Sequence, residues 1–240
     1  MATELILIRH GNAVRVNGDY FHAPLTPLGQ EQAAQTGQYF NAPQNHIDGF
    51  YSSPLRRTQE TAHIIGAIIG QNAELRIDVQ EVRLNELPAL VILEILSITD
   101  PVEDYLDARA GGPIRWPVEG RVSAVLLDII ARHPDQRVAV IAHAGVISAI
   151  LSWYLPEKRW QWWRTTVSNC SLTRFRVEGK RAELLAVNDI QHLSTVLITT
   201  QPPTRTVEIA KEAHPVEKSL VFDKAADENS GKKGINQNEK

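Results

Sequence analysis

The chain has few of the residues that mark secreted, metal-binding or membrane proteins. Cys170 is the single cysteine among 240 residues, so no disulfide can form within the chain and no cysteine cluster can bind a metal. No His-Glu-x-x-His segment occurs, and no apolar run approaches the ~20 residues of a membrane-spanning helix. The first residues carry no charged-then-apolar leader. The sequence therefore predicts a soluble, cytoplasmic protein with no metal, no cofactor and no membrane partner.

An excess of positive charge is also missing. The chain carries 25 Lys and Arg against 28 Asp and Glu, a formal net charge of −3, which argues against nucleic acid as a partner. Its length suits one domain with an appendage, and we expect a catalytic domain over residues 1–200. A C-terminal extension follows over 201–240. Within it, 223–240 is charged and almost free of large apolar residues, which predicts disorder.

Apolar runs and helical periodicity alternate along the domain, which predicts an α/β fold: a three-layer α/β/α arrangement around a mostly parallel sheet. A break at Glu178-Gly179 between two strand-like runs predicts a hairpin and one antiparallel edge. The predicted strands are 4–9, 47–52, 137–142, 171–177 and 182–187, and the predicted helices are 27–40, 54–70, 120–132 and 145–154.

Two segments allow both a functional and a structural interpretation. Residues from about 88 to 118 combine an apolar run with several helix breakers, which indicates either a small helical lid over the site or an ordinary packed connection. A tryptophan cluster indicates either cover for the core or a subunit interface, so a homodimer is one expectation. Its members are Trp153, Trp160, Trp162 and Trp163.

The most informative motif is Arg9-His10-Gly11, directly after the apolar strand Leu5–Ile8. In an α/β sheet, ligands bind at the carboxyl ends of the strands. Later segments add a second histidine, further arginines and a carboxylate: Ser52–Arg57, Leu84–Glu86 and Ala142–Gly145. An imidazole can attack phosphorus and form a phosphohistidine, while surrounding cations stabilise the phosphoryl oxygens. These residue types together are those that phosphoryl transfer through a histidine requires.

With two further segments, Leu25–Gly29 with Gln32-Ala33 and Asn188–Leu193, the chain resembles the histidine phosphatase (phosphoglycerate mutase-like) superfamily from about Glu4 to Leu193. The resemblance implies that His10 is the nucleophile and Glu86 the proton donor. It assigns the phosphate pocket to Arg9, Arg57 and His143.

Several assignments have a neighbour that competes for the same role. Arg56 competes with Arg57, although Ser53 as a cap and Pro54 as the first helical residue would place Arg57 about one turn inside the helix. Glu81 competes with Glu86. Asn12 and Asn17 both remain candidates for an asparagine that reaches the phosphate. The glycines and alanine beside the two histidines complete the predicted phosphate-binding set: Gly11, Ala144 and Gly145.

The sequence predicts a metal-independent phosphomonoester hydrolase of the histidine acid phosphatase type, acting on a small phosphorylated metabolite. The first alternative is a 2,3-bisphosphoglycerate-dependent phosphoglycerate mutase. Mutases of that type usually carry a longer insertion between the acid and the second histidine, whereas only 56 residues separate Glu86 from His143 here. A protein phosphohistidine phosphatase is a further candidate, and a non-catalytic phosphate-binding module is the alternative outside the enzymes.

Overall fold

The protein was analysed as a computed structural model that describes residues 2–14, 22–82, 117–156, 162, 165–179, 181–198 and 214–215. Its strands are β1 (Ala2–Arg9), β2 (Gly49–Ser52), β3 (Glu74–Leu75), β4 (Arg137–Ala142), β5 (Leu172–Glu178), β6 (Arg181–Asp189) and β7 (His214–Pro215). Its α-helices are α1 (Pro27–Asn41), α2 (Arg56–Ile69), α3 (Pro117–Arg132) and α4 (Ala144–Tyr154). Short 3-10 helices occupy Pro43–Asn45, Ile77–Val79 and Thr195–Leu197.

The strands form one sheet in the order β3-β2-β4-β1-β5-β6-β7. Strands β3, β2, β4 and β1 run parallel to one another, whereas the pairs β1–β5, β5–β6 and β6–β7 are antiparallel. The parallel block matters for function, because it brings the carboxyl ends of β1, β2 and β4 to the same edge of the sheet.

Helices cover both faces of this sheet. Side chains alternate along each strand, so Leu5 and Leu7 of β1 pack with α3 and α4, while Ile6 and Ile8 pack with α1 and α2. All four are essentially inaccessible to solvent. Strands that are apolar on both faces are typical of the buried centre of a three-layer fold. The predicted α/β fold class is therefore confirmed.

The predicted elements agree with the structure to within a few residues, with one informative shift at α2. The predicted cap at Ser53 is wrong: α2 begins at Arg56, and its N-terminal neighbour Leu55 makes no side-chain cap. Ser53 Oγ instead contacts His143, which is described below. The predicted hairpin is present, with Gly179 in the left-handed region at φ 56°.

Other predictions fall partly outside the described residues. Of the predicted lid over about 88–118, Pro117 and Val118 begin α3, and the rest is not described. Of the extension over 201–240, His214–Pro215 pairs with β6. In the tryptophan cluster, Trp162 is buried in the core, whereas Trp160 and Trp163 lie outside the described residues.

The lone cysteine lies in the interior of the fold. Cys170 is completely buried, and this burial raises the pKa of its thiol to about 12, as expected for a packing residue. None of the helices in the described ranges is both long and apolar enough to span a bilayer.

Candidate active site

Three strand ends build the site. His10 directly follows β1, Ser53 follows β2, and His143 lies between β4 and α4. All three side chains are buried. The ring centroids of the two histidines lie 5.3 Å apart, with the ring planes tilted by 59°. Neighbouring parallel strands thus bring together two residues that lie more than a hundred positions apart in the sequence.

His10 is held as a neutral ring with a defined tautomer. Its Nδ1 lies 2.7 Å from the carbonyl oxygen of Gly11, which can only accept, so Nδ1 carries the proton. The other nitrogen, Nε2, accepts a hydrogen bond of 3.1 Å from Nε of Arg57. Burial, with the charges of Arg9 and Arg57, lowers the pKa of His10 to about 3. The lone pair of Nε2 is therefore available near neutral pH, as a nucleophile requires.

Arg57 bridges the two histidines. It is 1% exposed, and its Nη2 lies 3.0 Å from Nδ1 of His143. Because a guanidinium only donates, Nδ1 of His143 must accept. The proton of that ring is then on Nε2, which donates to Ser53 Oγ at 2.9 Å. Burial and the neighbouring His10, Arg57 and Arg9 lower the pKa of His143 well below its usual value.

Arg9 stands at the end of β1 beside these groups. Its Nη1 donates to the carbonyl oxygen of Val167, and its backbone oxygen accepts from the amide of Cys170. Its Nε has no hydrogen-bond partner among the residues described. Donors of Arg9 and Arg57 thus surround the space near His10 with positive charge, the environment that phosphoryl oxygens need.

The backbone around His10 is fixed by side chains from three directions. Gln32 Oε1 accepts from the amide of Asn12 at 2.8 Å, and Thr61 Oγ1 accepts from the amide of Gly11 at 3.1 Å. Asn169 Nδ2 donates to the carbonyl oxygen of His10 at 2.8 Å. These bonds restrain the position of the imidazole, since the ring can only be as well placed as the backbone that carries it.

The close approach of α1 explains two residues of this loop. A Cβ on Gly11 would lie 2.5 Å from the carbonyl oxygen of Gly29, which is too close for a side chain. Asn12 accepts a hydrogen bond of 2.8 Å at Oδ1 from Thr26, the residue that caps α1 through the amide of Gly29. The oxygen of Asn12 therefore serves the start of α1 in this structure. Its competitor Asn17 lies outside the described residues.

A carboxyl group does reach the site, and it belongs to Glu81. Its Oε2 lies 4.0 Å from Arg57 Nη2 and 3.8 Å from His143 Nδ1. Burial raises the pKa of Glu81, although a backbone hydrogen bond from Val82 and the charge of Arg57 oppose this shift. Glu86, assigned as the proton donor by resemblance, lies outside the described residues, so its role stays a prediction.

The competitor of Arg57 is placed elsewhere. Arg56 points to the surface, where 56% of its side chain is exposed and its Nε lies 2.7 Å from Glu60. Ala144 and Gly145 form the first residues of α4, next to His143. Of the predicted residues that the structure describes, His10, Arg9, Arg57 and His143 lie together.

Sequence reasoning gave no role at the site to Ser53, Thr61 or Asn169. Thr61 lies on the buried face of α2, and only its hydroxyl distinguishes it from an apolar neighbour. Asn169 precedes the buried cysteine and carried no motif. Among the parts of the chain that the structure describes, no group of three or more His, Cys, Asp or Glu residues is arranged to hold a metal ion.

Comparison with known proteins identifies the family. The family model of the histidine phosphatase superfamily (branch 1) matches residues 5–190, so the chain belongs to that superfamily. Phosphoglycerate mutase-like protein 4 of Arabidopsis thaliana is 28% identical over 205 residues, covering 79% of this chain and 86% of the relative. Phosphoserine phosphatase 1 of Hydrogenobacter thermophilus is 26% identical over 205 residues, covering 79% and 94%.

A solved structure shows the same fold. Phosphoserine phosphatase of Entamoeba histolytica, crystallised as a variant with phosphoserine, superposes with a TM-score of 0.61 at 24% identity. The match covers 80% of this chain and 100% of the other. The resemblance predicted from the motifs is confirmed at the level of family and fold.

Proposed function

We propose that the protein is a metal-independent phosphomonoester hydrolase that works through a phosphohistidine on His10 and takes a small phosphorylated metabolite. The observation that carries the proposal is the state of His10: a buried neutral ring whose proton is fixed on Nδ1 and whose Nε2 faces Arg57. A ring held only for packing would not need two cationic neighbours that lower its pKa.

The reaction would proceed by two displacements at phosphorus. Nε2 of His10 attacks, the bond between phosphorus and the ester oxygen breaks, and the leaving oxygen takes a proton from a carboxylic acid. Water then attacks the phosphohistidine and returns a proton to the carboxylate, while the bond between phosphorus and nitrogen breaks. Arg57 now donates to Nε2, so its Nε–H must move to a phosphoryl oxygen as the substrate arrives.

The remaining residues would bind the phosphoryl group. Arg9 and Arg57 would donate to its oxygens. His143 would do the same in the ring tautomer that carries the proton on Nδ1, in which the Ser53 hydroxyl donates to Nε2 instead of accepting from it. Glu86 remains the proposed acid on the strength of the family resemblance. Gly11, Ala144 and Gly145 are proposed to contribute backbone contacts, and the choice between Asn12 and Asn17 is left to mutation.

The names of the relatives suggest which substrates to test first. Several are called phosphoserine phosphatases, and one solved structure is a glucosyl-3-phosphoglycerate phosphatase. We therefore propose a substrate with a phosphorylated hydroxyl on a small carbon skeleton. A panel of phosphoserine, sugar phosphates and phosphoglycerates, read by release of inorganic phosphate, tests this proposal.

A phosphoglycerate mutase is the second candidate, because a mutase-like protein is among the relatives. The same panel separates the two reactions when 3-phosphoglycerate is supplied with 2,3-bisphosphoglycerate. A hydrolase releases phosphate with little isomerisation. Isomerisation stimulated by the bisphosphate, with negligible phosphate release, would establish the mutase. Binding of substrates with neither reaction would indicate a non-catalytic phosphate-binding module.

A further inference from the structure

Glu81 has contacts that the proposed reaction does not use. Its carboxyl group lies at the mouth of the site with 26% of the side chain exposed, while Oε2 approaches Arg57 and His143. The other oxygen, Oε1, accepts from the amide of Val82 at 3.0 Å. A Cβ on Gly145 would lie 2.8 Å from Oε1, so the absence of a side chain there leaves room for this carboxyl group.

The segment before Glu81 is tied to the body of the domain. Arg121 of α3 donates through Nη1 to the carbonyl oxygens of Asp78 and Gln80, at 2.7 and 3.1 Å. The 3-10 helix Ile77–Val79 buries Val79 in the core. The carboxyl group is therefore presented to the site by a fixed segment of backbone.

The position of Glu81 affects the charge balance of the site. Arg57 is a buried cation whose hydrogen bonds to His10 and His143 go to neutral rings. The carboxylate of Glu81, 4.0 Å away, compensates part of that charge when no anion is bound. A phosphoryl dianion that binds Arg57 would meet this carboxylate as a like charge, at a separation where repulsion is substantial.

We propose that Glu81 is a protonation gate for the phosphate pocket: its carboxylate compensates Arg57 in the empty site, and it takes up a proton when a phosphoryl dianion binds. The neutral acid removes the repulsion and can donate a hydrogen bond to the anion. Affinity for dianions should then fall as the pH rises and Glu81 loses its proton.

Among Glu81 and the described groups that face it, this carboxyl group alone has a pKa shifted upward, toward the neutral range. The pKa of His10 is lowered to about 3, and that of His143 is also lowered well below its usual value, so both rings stay neutral. Arg9, Arg57 and Arg121 are the neighbouring cations. Burial raises the pKa of Glu81, in the direction that the gate requires.

The inference rests on the proposed function only in assuming that the pocket binds a phosphoryl-shaped dianion. Sulfate is the probe, because it is tetrahedral and keeps two negative charges across the whole range. Its affinity for the full chain is measured by calorimetry from about pH 5 to about pH 9, an interval above the ordinary carboxyl pKa in which an upward-shifted group would titrate. We expect wild-type affinity to fall about tenfold across it, since a like charge nearby disfavours the dianion.

Glu81→Gln removes the charge while its amide oxygen still accepts from Val82. We expect this variant to bind sulfate with an affinity that is nearly independent of pH and equal to the wild type at low pH. The control is Glu183→Gln, which removes one negative charge from a surface pair with Arg176 far from the site and should behave as the wild type. Equal pH dependence in wild type and Glu81→Gln would overturn the gate.

Proton uptake gives a second readout that needs no variant. A tenfold fall in affinity corresponds to a difference of about one unit between the carboxyl pKa of the free and bound states. Calorimetry in two buffers of different ionisation enthalpy should therefore show about half a proton taken up per sulfate where the affinity changes with pH, and none at either end of the range. Sulfate binding without proton uptake at any pH would contradict the gate while leaving the phosphatase proposal intact. If the wild type binds neither sulfate nor vanadate and hydrolyses no phosphomonoester, the proposed function fails, and the gate fails with it.

Discussion

Replacing Arg57 with lysine should separate the role of the planar guanidinium, with its several fixed donors, from the role of its positive charge. The guanidinium donates from Nε to His10 and from Nη2 to His143, with two bonds of 3.1 and 3.0 Å. A lysine keeps the positive charge but has a single nitrogen on a flexible chain. It cannot reach both rings and also present two parallel donors to a phosphoryl group.

The expected losses of activity and stability follow from the hydrogen bonds that a lysine cannot make. Losing one donor aimed at the transition-state charge typically costs a factor of about 10² to 10³ in kcat. The variant also leaves a ring nitrogen of His10 or His143 buried without its donor, which costs about 1–3 kcal/mol of stability. We therefore expect Arg57→Lys to lower kcat/KM by at least about a hundredfold and the free energy of unfolding by about 2 kcal/mol.

Arg56→Lys is the matched control, because the neighbouring residue forms an exposed pair with Glu60. Its activity should be unchanged and its stability should shift by less than about 1 kcal/mol. Steady-state hydrolysis of the best phosphomonoester and urea denaturation measure the two quantities. If Arg57→Lys retains activity within a few-fold of the wild type, or if Arg56→Lys is the damaged variant, the assignment of the buried fork to the phosphate pocket is refuted.

Three further predictions concern the acid, the metal and the pH dependence of folding. Glu86→Gln should slow hydrolysis of an alkyl phosphate more than that of an aryl phosphate, whose leaving anion needs less protonation; equal losses would point away from Glu86. Activity should survive a chelator and be inhibited by vanadate, so recovery of a chelated enzyme with a divalent metal would contradict the metal-independent reaction. The pKa of His10 is about 3 in the folded protein and 6.5 without the fold, so the unfolded chain binds the extra proton between these values and stability falls on acidification. From about pH 7.5 to about pH 5 the free energy of unfolding of the wild type should fall by about 2 kcal/mol through this ring alone. In urea denaturation, His10→Asn should show a correspondingly smaller fall over the same pH range. An identical fall in both proteins would refute the linkage.

Much of the fold could be predicted because hydrophobic periodicity reports burial directly. The bounds predicted for the strand Arg137–Ala142 agree with the structure, since an apolar run containing three β-branched residues lies between a turn and a histidine. The start of α2 was predicted two residues early. Ser53 matches a helix cap in sequence, but in the structure its hydroxyl accepts a hydrogen bond from Nε2 of His143. No local sequence pattern contains this long-range contact.

At the site, too, local sequence patterns reveal some residues and miss those that act through long-range contacts. Arg9, His10 and His143 could be found because each stands at the end of a clear strand, and strand ends converge in this type of sheet. Thr61 accepts from the amide of Gly11, and Asn169 donates to the carbonyl oxygen of His10. These contacts cross the fold, so the residue types alone do not reveal them. The contacts of Glu81 likewise depend on how the segment after β3 returns to the sheet.

The most direct test of the account is to trap the phosphoryl group on the protein. A good substrate is mixed rapidly with enzyme, the reaction is quenched in alkali, which preserves phosphohistidine, and the modified residue is mapped by mass spectrometry. We predict one phosphate on His10, its loss on acid treatment, and neither label nor measurable turnover in His10→Ala. Substantial hydrolysis by His10→Ala, or a label that maps to another residue, would contradict the assignment of His10 as the nucleophile.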